Sequence, residues 1–172
     1  MSKKRNDHSG FVKKITTLMK TRISQSDVVS LDALRDVAKS KKKPHDPKSI
    51  LVIDDDSMIR ETLNRALVRE GYIVHLAKDA SDIGDILENQ MNRVDFIILD
   101  VGLPWIDGYE LATVMKESDS LRNIPLIFMS GRTEVDDMKK GFQVGADDYI
   151  KKPFDLNKLL KTIRTLLTLR ES

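Results

Sequence analysis

Asp54-Asp55-Asp56, Asp100, Ser130 and Lys152 stand at or near the ends of short apolar runs in this 172-residue chain, and together they make up a chemistry. A carboxylate beside a divalent ion and a lysine can attack phosphorus, because the two cations neutralise charge developing on an incoming phosphoryl group. On that reading Asp100 becomes an aspartyl phosphate. Ser130 then offers its hydroxyl to a phosphoryl oxygen, and Lys152 is a cationic donor. Carboxylates crowded at one sheet edge repel each other unless a cation neutralises them. With oxygen donors only, Mg²⁺ (or Mn²⁺) is the expected ion, and the carbonyl of Gly102 is well placed in sequence to complete its shell. The chain has no cysteine, which excludes disulfide scaffolds, CxxC redox sites, thiolate zinc sites and cysteine nucleophiles.

These groups need a scaffold that lines them up. From residue 50 onward apolar runs alternate with polar segments of helical period: Ile50–Ile53, Tyr72–Leu76, Val94–Leu99, Ile124–Met129 and Tyr149–Ile150. Their starts lie 22, 22, 30 and 25 residues apart, the length of a strand plus a crossover helix. Continuous aliphatic runs point to strands buried on both faces. The expected fold is α/β, a (βα)5 doubly wound unit with a parallel five-stranded sheet covered by helices on both faces. In such a sheet ligands bind outside the carboxyl ends of the strands, where the reactive residues fall. Ser57 is the expected N-cap of a first helix reaching about Glu70, with Ile59, Leu63, Ala66 and Leu67 on one stripe and Gly71 as its stop. Ile83, Leu87 and Met91 mark the second helix, Leu111 and Met115 the third, and Val135, Met138 and Phe142 a more polar fourth. The last helix is expected to begin near Phe154 and end around Arg170.

The 29 Lys and Arg and 27 Asp and Glu are unevenly placed. Residues 1–49 hold 13 basic and 5 acidic residues, a net +8, whereas residues 50–172 hold 16 and 22, a net −6. The boundary is expected in the lysine- and proline-rich stretch 41–48. It divides a basic, partly helical N-terminal extension and linker (1–48) from a domain at 49–172. Phe11, Val12, Ile15, Leu18, Met19 and Ile23 recur at helical spacing among basic residues, and a second short helix is expected after Ser30. The extension is too short for its own core, so it is expected to dock on the domain or pair between subunits, with docking of a partner protein as the alternative. It makes no strong case for nucleic acid or membrane, lacking aromatic interleaving and a complete helix-turn-helix pattern. No stretch approaches 18 apolar residues and no signal peptide is visible, so a cytoplasmic location is expected. His8, His45 and His75 fall at no expected strand C-terminus, and they receive no phosphotransfer or metal role.

Residues 50–170 resemble the receiver domain of two-component response regulators, the CheY-like family. The motifs that carry the resemblance are ILVIDDDS (50–57), FIILDVGLPWIDGYEL (96–111), IPLIFMSG (124–131) and GADDYIKKPF (145–154). The resemblance implies Asp100 as phosphoacceptor and Asp54 and Asp55 as an acidic pair that holds Mg²⁺ with Asp100 and the Gly102 carbonyl. It further implies Ser130 as the switch hydroxyl, Tyr149 as the switch aromatic and Lys152, not Lys151, as the lysine before proline, with a cis bond at Lys152–Pro153. Gly102 and Arg132 occupy positions that in this family influence phosphate lifetime. The implied partners are a histidine kinase or histidine phosphotransfer protein and an unidentified downstream protein. A homodimer would form through the fourth helix, fifth strand and fifth helix, or through the N-terminal helix. The chain is then a signalling phosphoacceptor that assists its own phosphorylation and dephosphorylation only, not an enzyme acting on other substrates. With nothing after the fifth helix, output is expected through protein contacts.

Gly131 stands where alanine is frequent in the family, which loosens a turn without removing a functional group. Trp105, the only tryptophan, is expected to be exposed in the loop after the third strand and to serve as a contact. Two other readings stay open. One is a phosphate-independent interaction module controlled by its N-terminal extension. The other is a haloacid dehalogenase-type phosphatase, with Asp54-Asp55-Asp56 as its DxD motif and Asp54 as nucleophile. Against it, that family's lysine precedes its last acidic pair, whereas here Asp147-Asp148 precede Lys151-Lys152, and the chain offers no segment for a cap.

Overall fold

The computed structural model describes residues 46–90, 94–132 and 134–171. The two helices expected in the basic extension, His8, His45 and Met91 lie outside the described residues. Among the described residues five strands, β1 (Ser49–Ile53), β2 (Ile73–Ala77), β3 (Phe96–Asp100), β4 (Leu126–Ser130) and β5 (Asp148–Lys151), alternate with five helices. The helices are α1 (Ser57–Arg69), α2 (Ala80–Gln90), α3 (Gly108–Glu117), α4 (Val135–Gln143) and α5 (Leu156–Glu171). The strands form one parallel sheet in the order β2-β1-β3-β4-β5. Chain order reverses between β1 and β3, which opens a crevice at their carboxyl ends.

Successive strand residues point to opposite faces, so the continuous apolar runs build two cores. Leu51, Ile53, Ile97, Leu99 and Phe128 pack with Ile83 and Leu87 of α2 and Leu111 and Met115 of α3. On the other face Ile50, Val52, Phe96 and Ile98 pack with Leu63 and Leu67 of α1 and Leu159 and Ile163 of α5. Each fully buried aliphatic side chain of this kind contributes about 1.5–3 kcal/mol. The start of the sheet is clasped by Asp95, whose carboxylate accepts from the Ser49 N–H at 2.8 Å while its own N–H donates to the Ser49 carbonyl at 2.8 Å. At the same end the Arg170 guanidinium reaches Asp147 at 3.4 Å and donates to the Asn123 carbonyl, tying α5 to the segments that lead into β4 and β5.

Several local expectations are corrected. Asp56, not Ser57, caps α1, accepting from the N–H groups of Met58 and Ile59 at 2.8 and 3.4 Å. A carboxylate accepts more strongly than a hydroxyl, and its charge suits the positive end of the helix. Gly71 follows at a φ of +89°, a conformation glycine adopts without steric cost. Only Ala77 of β2 is buried, because β2 is an edge strand and one flank is open. Asp100 and Ser130 are the last residues of β3 and β4 rather than the first beyond them. The last helix starts at Leu156, two residues after Phe154, where the Asp155 carboxylate accepts from the Lys158 N–H at 3.1 Å. The apolar stripe of α4 faces out: Val135, Met138 and Phe142 are 67%, 38% and 48% exposed. What α4 turns inward is Gly141, where an added Cβ would stand only 3.0 Å from the Tyr149 ring and 3.1 Å from Phe128.

Candidate functional site

Strand register brings the reactive residues together. Ile53 pairs with Leu99, so the next residues, Asp54 and Asp100, emerge side by side at the crevice. Ser130 pairs with Lys151, and the Lys152 N–H donates to the Ser130 carbonyl at 2.8 Å, which brings the lysine onto the same edge. Carboxylate oxygens of Asp54, Asp55 and Asp100 all lie within 4.8 Å of one another. Asp54 and Asp100 are buried and Asp55 is exposed. The Lys152 ammonium donates to Asp54 Oδ2 at 2.6 Å and lies 3.4 Å from Asp100 Oδ2.

The backbone holds these carboxylates in place. The Asp56 N–H donates to Asp54 Oδ1 at 2.9 Å, and the Gly102 N–H to Asp100 Oδ1 at 3.2 Å. Gly102 is exposed, so its carbonyl belongs to an open loop at the rim of the cluster. Ser130 is buried, and its hydroxyl oxygen accepts from the Arg132 N–H at 2.9 Å. The Lys152–Pro153 bond is cis.

Burial pushes the Asp54 carboxyl above its ordinary value, against the hydrogen bonds from Lys152 and the Asp56 N–H. Burial also works against charge on Lys152, but the hydrogen bond and charge of Asp54, joined by Asp100, lift it above the ordinary lysine value. The Lys152 ammonium thus engages two of the three clustered carboxylates, and the excess negative charge is set in oxygen donors only. A hard divalent cation such as Mg²⁺ matches that donor set, with Asp54, Asp55 and Asp100 as the side chains able to hold it.

Trp105 is not the exposed residue expected. It is half-buried against the core of the α2 and α3 face, and its Nε1–H donates to the Lys78 carbonyl at 3.1 Å. Tyr149 is buried, its hydroxyl donating to the Arg132 carbonyl at 2.9 Å. Arg132 itself is exposed and lies 3.9 Å from Asp107.

Three contributors went unnoticed in the sequence. Arg60 donates to the Asp54 carbonyl at 2.7 Å, and the signal for it was its place one turn into the helix that follows the acidic run. Gly108 begins α3 where an added Cβ would meet the Asp100 carbonyl oxygen at 2.5 Å and Val101 Cα at 2.6 Å, so only glycine lets the helix close under the Asp100 loop. Tyr109, buried beside it, has its hydroxyl 3.2 Å from that of Tyr149.

Residues 50–164 match the family model described as "Response regulator receiver domain". A curated relative, the response regulator MprA of Mycobacterium sp. (strain KMS), is 40% identical over 121 residues, covering 70% of this chain and 51% of its own length. The chain thus spans about half the length of the curated relatives it matches. Among solved structures, a putative response regulator from Chloroflexus aurantiacus J-10-fl superposes with a TM-score of 0.65 at 30% identity, over 72% of this chain and 99% of that one. A CheY-like receiver domain protein from Methanospirillum hungatei JF-1 does so with a TM-score of 0.64 at 29% identity, over 73% and 98%.

Proposed function

The chain belongs to the response regulator receiver domain family of two-component signalling, and from that premise we propose that Asp100 is the carboxylate it phosphorylates. The observation that carries this assignment is one lysine, Lys152, 2.6 Å from Asp54 and 3.4 Å from Asp100 at the edge where three carboxylates meet. An Asp100 oxygen forms the new bond to phosphorus while the bond from phosphorus to the donor's nitrogen breaks, and the donor histidine takes up a proton. Mg²⁺, when bound, supplies charge neutralisation for the phosphoryl oxygens. Asp54, Asp55 and Asp100 hold it together with the Gly102 carbonyl. Lys152 is the second cation, and Ser130 offers its hydroxyl to the phosphoryl group.

The donor is a histidine kinase or a histidine phosphotransfer protein, and the phosphorylated form acts on a downstream protein through the α4, β5 and α5 face. A cytoplasmic location goes with that role, and the same face or the basic extension at 1–48 is where two copies would pair. Gly102, whose N–H donates to Asp100, and Arg132, whose N–H donates to Ser130, are assigned to phosphate lifetime. The haloacid dehalogenase alternative is set aside by the family match.

The test is the intact mass of the wild type and of Asp100→Asn after incubation with a small-molecule phosphodonor, with and without Mg²⁺. A metal-dependent gain of one phosphoryl group, lost in Asp100→Asn, is the expected result. No gain under any condition would instead mark a phosphate-independent interaction module.

A further inference from the structure

A continuous line of contacts runs from the end of β4 to the first turn of α4. Ser130 Oγ accepts from the Arg132 N–H at 2.9 Å, and the Arg132 carbonyl accepts from the Tyr149 hydroxyl at 2.9 Å. The Tyr149 and Tyr109 hydroxyl oxygens are 3.2 Å apart, and the Tyr109 hydroxyl donates to the Asp137 carbonyl at 3.0 Å. The two rings flank Phe128, with centroids 5.1 and 5.9 Å from it. α4 closes over Tyr149 and Phe128 at Gly141. Tyr109 is 1% and Tyr149 8% exposed, so a hydroxyl that loses its partner here has little recourse to water.

Two protons serve three contacts, since each phenol carries one O–H. When Tyr149 donates to Arg132, Tyr109 is free to serve Asp137. When Tyr149 donates to Tyr109, the Asp137 carbonyl is still served and the Arg132 carbonyl is released. Tyr109 therefore gives the Tyr149 hydroxyl a second acceptor inside the core. With phenylalanine at 109, Tyr149 keeps only the carbonyl of an exposed loop residue.

We propose that Tyr109 is a positioning residue that holds Tyr149 in its buried place and so keeps the Ser130 loop coupled to α4; this rests on the phosphoacceptor reading of Asp100. The buried Tyr149 and the assembled cluster of Asp54, Asp100 and Lys152 occur in one arrangement. A variant that populates this arrangement less binds a phosphoryl group less tightly, in proportion to the population lost.

The experiment is a titration with beryllium trifluoride, a phosphoryl analogue, in Mg²⁺, read by the fluorine-19 resonance of the bound species. It compares wild type, Tyr109→Phe, Tyr149→Phe and the double variant, with urea unfolding run in parallel. Tyr109→Phe is expected to weaken binding about three- to tenfold, the equivalent of one net hydrogen bond. Tyr149→Phe is expected to lose at least as much, and adding Tyr109→Phe to it should change nothing further. Unchanged affinity in Tyr109→Phe would overturn the proposal, leaving that hydroxyl a structural role alone. An equal loss from Tyr109→Phe in both backgrounds would overturn it too, because Tyr109 would then act without Tyr149. A wild type with no Mg²⁺-dependent bound signal would instead overturn the phosphoacceptor reading, and this inference with it.

Discussion

Asp54 is 2% exposed and shares its lysine with a second buried carboxylate, so its charge is held at a cost to folding. Replacing it with asparagine keeps an oxygen for Lys152 to donate to and removes the charge. Asp54→Asn is expected to stabilise the metal-free protein by about 1 kcal/mol at pH 8 in urea unfolding. The sign follows from the raised carboxyl: folding favours its protonated form, and the stability this gives is present below the ordinary carboxylate value and lost as pH rises through the raised one. The variant's advantage should therefore vanish near pH 4; an advantage that grows towards acid would contradict the argument. Asp54, Asp100, Ser130 and Lys152 were legible in the sequence because each sits at or next to the end of an apolar run, a position that parallel pairing carries to one edge. Arg60, Gly108 and Tyr109 were not, because what each does depends on which atoms lie across a tertiary contact: a carbonyl, a close backbone, a second hydroxyl.

Helices α3 and α4 show how the same signal can carry opposite meanings. Both present apolar residues at helical spacing, yet Leu111 and Met115 of α3 are 1% exposed and the α4 stripe lies in water. Leu111→Ala is expected to cost about 2–5 kcal/mol in urea unfolding, as a buried leucine does. Phe142→Gln should stay within about 0.5 kcal/mol, as a surface change does. A large loss from Phe142→Gln would mean that another segment covers that face. Periodicity locates a stripe but not its direction; in α4 the direction was set by Gly141, the one position where the helix can approach Tyr149 and Phe128. The order of the strands was likewise invisible in the run spacing, which constrains crossover length but not the side to which each crossover turns. The half-buried β2 follows from that order, since an edge strand of the same composition has one flank without a neighbour.

At the scale of the whole molecule, residues 50–172 carry a net −6, and the reactive cluster gathers three of those carboxylates, two of them buried, at one edge of the sheet. Mg²⁺ that binds only the folded cluster stabilises it by mass action, so the wild type should gain about 2–3 kcal/mol at a hundredfold excess over its dissociation constant. Chelation should reverse the gain, and Asp54→Asn should show little of it. A gain of equal size in Asp54→Asn would assign the effect to general screening by the salt. Asp95 clasps the beginning of β1, and Arg170, in the last turn of α5, reaches the segments ahead of β4 and β5. All these segments lie where parallel strands begin, so the domain is entered and left at one pole while its reactive carboxylates occupy the other. Spliced at those two points into a surface loop of a host protein, it would present its chemistry outward, a geometry suited to a genetically encoded phosphorylation sensor.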